Sequence, residues 1–126
     1  MNPVLVAGAL LGLLSVILGA SSEHILRAQV DEEVFRWLMT AIRYHQVGAV
    51  LVSAIGLALV FLKDHPVRRP LTLAAWLFVT GTVLFSFSIY ITAATGIEAF
   101  TYLTPVGGTI LMLAWAVLLK AGFSQR

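Results

Sequence analysis

Residues 3–20 read PVLVAGALLGLLSVILGA, and no ionisable side chain follows until Glu23. An α-helix needs roughly 20 apolar residues to cross the hydrocarbon core of a bilayer. The run is continuous rather than alternating, so it predicts a helix and not a strand of a membrane barrel. Gly19-Ala20-Ser21 loosely resembles the cleavage site of a secretory signal. Such signals carry basic residues ahead of their apolar stretch, and no Lys or Arg precedes this one. A retained transmembrane helix is the expectation.

Three further runs repeat the signature: Tyr44 to Leu62, closed by Lys63; Leu71 to Thr95, opened by Pro70; and Pro105 to Leu119, closed by Lys120. Composition agrees with them. The chain is 60% hydrophobic and 11% charged, against roughly 45–50% and 25% in soluble domains. A water-soluble domain of 126 residues could not bury so much apolar surface. The prediction is one all-α domain, a polytopic four-helix transmembrane bundle with spans near 3–20, 44–62, 71–95 and 105–119.

Local signals refine the helix starts. Asp31 reads as an N-cap, with Val30 and Phe35 placed for a hydrophobic staple. A surface helix over 31–43 should then lead unbroken into the second span, with Glu32 and Arg36 facing water. Thr104-Pro105 reads as the N-cap and first residue of the fourth helix. Lys63, Arg68, Arg69, Lys120 and Arg126 fall on the side of the termini, and Arg27, Arg36 and Arg43 on the other. Positive charge favours the cytoplasmic side, so both termini are expected there, in a multi-pass protein of the bacterial inner (plasma) membrane.

With no cysteine in the chain, disulfides, thiolate metal sites and cysteine nucleophiles are excluded. The net charge of +2 comes from scattered loop residues, and no basic patch suggests nucleic acid.

Helices in lipid associate through close backbone contact and hydrogen bonds, so small residues mark contact faces. Gly8, Gly12, Ser15 and Gly19 form one such stripe. His45, Ala49, Ser53 and Gly56 form a second, and Gly81, Ser88, Thr92 and Thr95 a third, with Thr82 and Ser86 on a neighbouring face. Gly107-Gly108 opens the fourth span. The stripes either hold one bundle together or, at one of them, join subunits.

Polar chemistry collects at the end opposite the termini. Glu23 and His24 end the first span, Arg43, Tyr44 and His45 open the second, Tyr90 lies near the end of the third, and Glu98, Tyr102 and Thr104 precede the fourth. Only His45 and Tyr90 should sit below the surface. Arg43 either pairs with Glu23 or Glu98 or continues the wet face of Arg36 and snorkels. His45 lies on a small-residue stripe, where a structural hydrogen bond is commoner than a proton relay. Tyr90, Trp37, Trp76 and Trp115 read as interfacial aromatics. His24, His45 and Glu23 come from only two helix ends and lack zinc-site spacing. His65 lies on the opposite side, so a bis-histidine haem is not supported. No metal ligand set, cofactor or catalytic constellation is expected. Four-helix multidrug exporters of similar length rely on an acidic residue inside the first span, and this span has none.

Four blocks in order carry a family resemblance: GASSEH at 19–24, TAIRYHQVGA at 40–49, FSFSIY at 85–90, and TPVGG at 104–108 followed by Trp115. They resemble the YgdD-like family of small inner-membrane proteins, which has relatives in animal mitochondria. The resemblance covers nearly the whole chain. Gly48 stands where that family often has histidine, and His45 where it often has glutamine. Glu23 replaces a small residue and Phe87 a glycine. The resemblance implies a four-helix bundle in an energy-transducing membrane and supplies no settled activity.

Two functions follow as expectations. The first is a non-catalytic membrane module that binds a partner membrane protein, a second copy or lipid. The second is an oligomeric carrier of a small solute or ion, its mouth lined by Arg43, His45, Tyr90 and Glu98. A carrier should show a water-filled cavity reaching those residues. A module should show them paired with one another.

Overall fold

The computed structural model describes residues 1–124. Helix α1 spans Pro3–His24 and is followed by a short 3₁₀ turn, Leu26–Ala28. Helix α2 spans Glu32–Phe61. The third rod is α3, Arg68–Thr82, continued through a π-helical turn, Val83–Phe87, into α4, Ser88–Thr95. A 3₁₀ turn over Glu98–Tyr102 leads into α5, Leu103–Phe123. Four rods are thus long and apolar enough to cross a membrane.

Each start has a chemical cause. The Asn2 side chain accepts from the Leu5 amide at 3.1 Å, and its own amide donates to the Gly56 carbonyl at 2.7 Å, tying the start of α1 to α2. Asp31 caps α2 by accepting from the Val34 amide at 2.8 Å. Glu32 and Glu33 add negative charge at the positive end of the helix dipole. Val30 and Phe35 pack on the same apolar cluster, as a staple requires. At roughly 1.5 Å per residue α2 is about 45 Å long, well beyond a hydrocarbon core of about 30 Å. Its first turns therefore stand outside, and the surface extension and second span are one helix. At the other end of α2, Arg68 donates to the Leu59 carbonyl at 2.6 Å, a cation satisfying a helix C-terminus.

The start of α5 differs from the expected one. The helix is already under way at Leu103, continuous with the preceding 3₁₀ turn, so Thr104 caps nothing. Its hydroxyl instead pairs with that of Ser88 at 2.7 Å. A partner on another helix has displaced the local bond.

The rods form a row rather than a closed square. Helix α1 lies on α2, α2 on α3 and α4, and α3 on α5; among the described residues neither α1 nor α2 reaches α5. The α1–α2 contact is the most extensive, and it is close. A Cβ on Gly8 would come within 2.5 Å of the Ser53 amide nitrogen, and one on Gly56 within 2.7 Å of the Leu5 main chain. Gly12 faces Ala49 and Gly19 faces Ile42 along the same seam at ordinary contact distance. The first span's stripe therefore lies against α2, inside one chain. The third rod shows two faces. Gly81 and Ser88 meet Leu111 and Thr104 of α5, whereas Thr82 and Ser86 meet Gly48 and Ala41 of α2. Thr95 is exposed and leaves the stripe expected for it.

The π turn has no glycine or proline in its VLFSF sequence. Its neighbours account for it. Gly107 allows the α5 backbone to press on the main chain at Leu84 and Phe85, while Ser86 donates to the Ala41 carbonyl at 2.7 Å. Two apolar clusters lie either side of this level. One gathers Val4, Val52, Leu59, Phe78 and Ala114; the other gathers Leu38, Ala41, Ile42, Ile89 and Tyr90.

Candidate functional site

His45 is fully buried midway along α2. Its Nδ1 lies 3.0 Å from the Tyr90 hydroxyl, 45 residues away on α4. The Phe87 ring packs on both, with centroids 5.3 Å from His45 and 5.4 Å from Tyr90. Tyr90 is therefore an interior residue, not the interfacial aromatic expected: its hydroxyl finds its partner inside the bundle, so nothing draws it to the membrane surface. The π turn assists by carrying Ser86, Phe87 and Tyr90 onto the α2 side. His45 Nε2 and the Thr82 hydroxyl are, among the described residues, the only buried side-chain polar atoms with no hydrogen-bond partner.

The remaining members of the anticipated cluster do not join this pair. Glu23, His24, Arg43, Tyr44 and Glu98 are all exposed. Glu23 pairs with Arg27 at 3.0 Å, four residues on, the one ion pair among the described residues. Arg43 has neither of its expected acids, which supports snorkelling. Tyr44 lies edge-on to the Phe85 ring, with centroids 5.1 Å apart. Tyr102 is exposed, and Thr104 is engaged by Ser88. Shared depth brought these residues to one end of the bundle. Helix rotation separates them, since Arg43 and His45 are two positions apart on α2 and so point in different directions. Among the described residues no group of three His, Asp or Glu is placed to hold a metal ion.

An apolar concavity lies elsewhere. Since α2 and α5 do not touch, a groove of about 1080 Å³ runs between them over the third rod. Phe78, Phe85 and Ile89 form its floor. Trp37, Thr40, Tyr44, Val47 and Gly48 form the α2 wall, and Thr104, Pro105, Gly108, Thr109, Met112 and Trp115 the α5 wall. Trp115 stands perpendicular to Phe78, ring centroids 5.2 Å apart. Sequence reasoning missed this groove. The signal was the pairing of Trp37, Tyr44 and Trp115 with a Gly107-Gly108 step, but only the row arrangement makes those residues neighbours. A second, polar cleft at the surface is lined by Arg27, Asp31, Glu32, Glu33 and Arg36. Neither opening is lined by His45 or Tyr90.

Residues 18–108 match the family described as "Protein of unknown function (DUF423)". The chain belongs to this family. It is 30% identical over 125 residues to the UPF0382 membrane protein of Haemophilus influenzae, covering 99% of this chain and 97% of the relative. It is 33% identical over 123 residues to the UPF0382 membrane protein YwdK of Bacillus subtilis, covering 96% of each. The UPF0382 inner membrane protein YgdD of Escherichia coli K12 is 27% identical over 122 residues, covering 92% of this chain and 86% of the relative. No solved structure matches. The resemblance drawn from the four sequence blocks is thus correct, and the chain is a membrane protein with four membrane-capable helices. The family match takes in the His45–Tyr90 pair, the π turn and Gly107-Gly108.

Proposed function

We propose that the chain is a non-catalytic module of the inner membrane, with both termini in the cytoplasm, that acts by binding along its helix faces. The observation that carries this reading is how the polar side chains of the spans are engaged. His45 holds Tyr90, Ser86 holds the Ala41 carbonyl and Ser88 holds Thr104. Groups bonded in this way fix helix against helix. A relay or carrier needs polar groups that face water or exchange partners. The groove that does open is apolar at its floor and lies between membrane-capable helices, which suits binding from the membrane plane. The Escherichia coli relative is named an inner membrane protein, which supports that location. Of the loop charges counted for orientation, Arg126 lies outside the described residues. The other seven divide between the two ends of the bundle as counted, which supports cytoplasmic termini.

The test is reconstitution into sealed vesicles with pH-, Na⁺- and K⁺-sensitive dyes inside. The module reading expects flux equal to that of empty vesicles at every protein density. Flux that scales with protein, and that Tyr90→Phe abolishes, would establish the carrier instead.

A further inference from the structure

We propose that Arg43 and the groove between α2 and α5 together hold an anionic phospholipid, its phosphate on the guanidinium and an acyl chain along the Phe78, Phe85 and Ile89 floor. The inference deepens the module reading and rests on it in taking the helix faces as the working surface.

Arg43 sits near the hydrocarbon boundary on α2, exposed and without an ion pair. At that depth the long side chain snorkels, carrying its guanidinium to the headgroup level without a protein partner. Glu23, one of the two acids near enough in depth, is engaged by Arg27, and Glu98 makes no ion pair. The anion present at that level of any bilayer is the lipid phosphate, whose oxygens match the planar guanidinium fork. Arg43 is also placed beside the groove. Thr40, Arg43 and Val47 follow at i, i+3 and i+7, one row along the helix, and both Thr40 and Val47 line the groove. Arg43 is not itself a lining residue, but its long side chain starts from the row beside Thr40 and Val47, within reach of the groove's edge.

The groove itself calls for hydrocarbon. Its threonine hydroxyls are already engaged: Thr40 donates to the Arg36 carbonyl, Thr101 to that of Glu98 and Thr109 to that of Pro105, while Thr104 pairs with Ser88. Beyond them come Phe78, Met112 and Trp115. At about 1080 Å³ the space stands at the upper end of the roughly 300–1,000 Å³ typical of ligand sites, and its place between membrane-capable helices admits a molecule already in the bilayer. Glu98 lies one 3₁₀ turn before Thr101, a lining residue of the opposite wall, and an acid so near restricts the headgroup. A phosphodiester with one negative charge is accommodated, and a multiply charged head meets repulsion.

The test uses the full chain in mild detergent with phosphatidylglycerol or phosphatidylcholine of identical acyl chains. Thermal midpoint and lipid retained in native mass spectrometry are both read. Phosphatidylglycerol should raise the midpoint by about 4 °C more than phosphatidylcholine and be retained at one per chain. Arg43→Gln should abolish the difference between the two lipids. Gly108→Leu should abolish retention of both, because a Cβ there meets only the Phe85 ring, at 3.7 Å, and the side chain extends over the floor. If that variant does not fold, Met112→Trp fills the groove from an exposed position. Equal responses to the two lipids, or a preference that survives Arg43→Gln, would overturn the proposal. So would a dimer that the groove-filling variants convert to monomer, since a second copy would then be the occupant. Ion flux in vesicles would sink the module reading while leaving lipid retention intact, so the two failures are distinguishable.

Discussion

Substituting Gly107 and its neighbour Gly108 by alanine, one at a time, separates close helix contact from every other effect of adding a methyl group. A Cβ at position 107 would fall on the main chain of the π turn, 2.8 Å from the Leu84 carbonyl carbon and from Phe85 Cα. Backbone atoms cannot rotate away, so α5 must lift off the third rod or the turn must rearrange. Forced overpacking of this kind costs about 1–3 kcal/mol, and the Ser88–Thr104 bond one turn away stretches with it. At position 108 the nearest atoms are the Phe85 Cδ2 and Cε2, at 3.7 and 3.9 Å. That is ordinary contact, and replacing a mid-helix glycine gains roughly 0.5–1 kcal/mol. Helix preference favours alanine equally at both positions and cancels in the comparison. Gly107→Ala should therefore be less stable than Gly108→Ala by about 1–3 kcal/mol, read from denaturing-detergent titrations of the purified variants. Equal stabilities would refute the backbone contact at the π turn, and with it the explanation given for the turn.

Three further outcomes follow from the same contacts. Tyr90→Phe and His45→Leu should each destabilise the chain, and the double variant should cost less than their sum, with a coupling of about 0.6 kcal/mol as is usual between membrane helices; strict additivity in the titrations would show that the bond contributes nothing. Asp31→Ala should cost about 1 kcal/mol and increase amide exchange at Val34 and its neighbours, leaving the buried part of α2 unchanged; exchange that does not respond would remove Asp31 as the cap. Arg43→Ala should leave the melting curve in lipid-free detergent unchanged, because the residue has no protein partner; a lowered midpoint there would reveal one.

The four rods were readable because continuous apolar runs bounded by Lys63, Pro70 and Lys120 leave a bilayer as the only adequate solvent. Asp31 and its staple were readable for a similar reason, since a cap depends on residues a few positions apart. What escaped sequence reasoning depends on neighbours far along the chain. The π turn carries no helix-breaking residue, and its cause is divided between Gly107 on α5 and Ala41 on α2. Thr104 was read as a cap because its local pattern permits one, but Ser88 offered a better partner. Arg43, His45 and Tyr90 share a depth, and depth was legible. Rotation about the helix axis sends Arg43 outward and His45 inward, so the single cluster resolves into a sealed pair and an exposed cation. The groove was hidden altogether, because it exists only where α2 and α5 fail to meet.

Since the chain has no native cysteine, the single variants Glu33→Cys, Asp64→Cys and Ala99→Cys can report the crossings directly through a membrane-impermeant maleimide applied to intact cells and then to lysed ones. Four bilayer-spanning rods require the thiols at positions 33 and 99 to react from one face and the thiol at position 64 only from the other. Labelling of all three from a single face would contradict that arrangement.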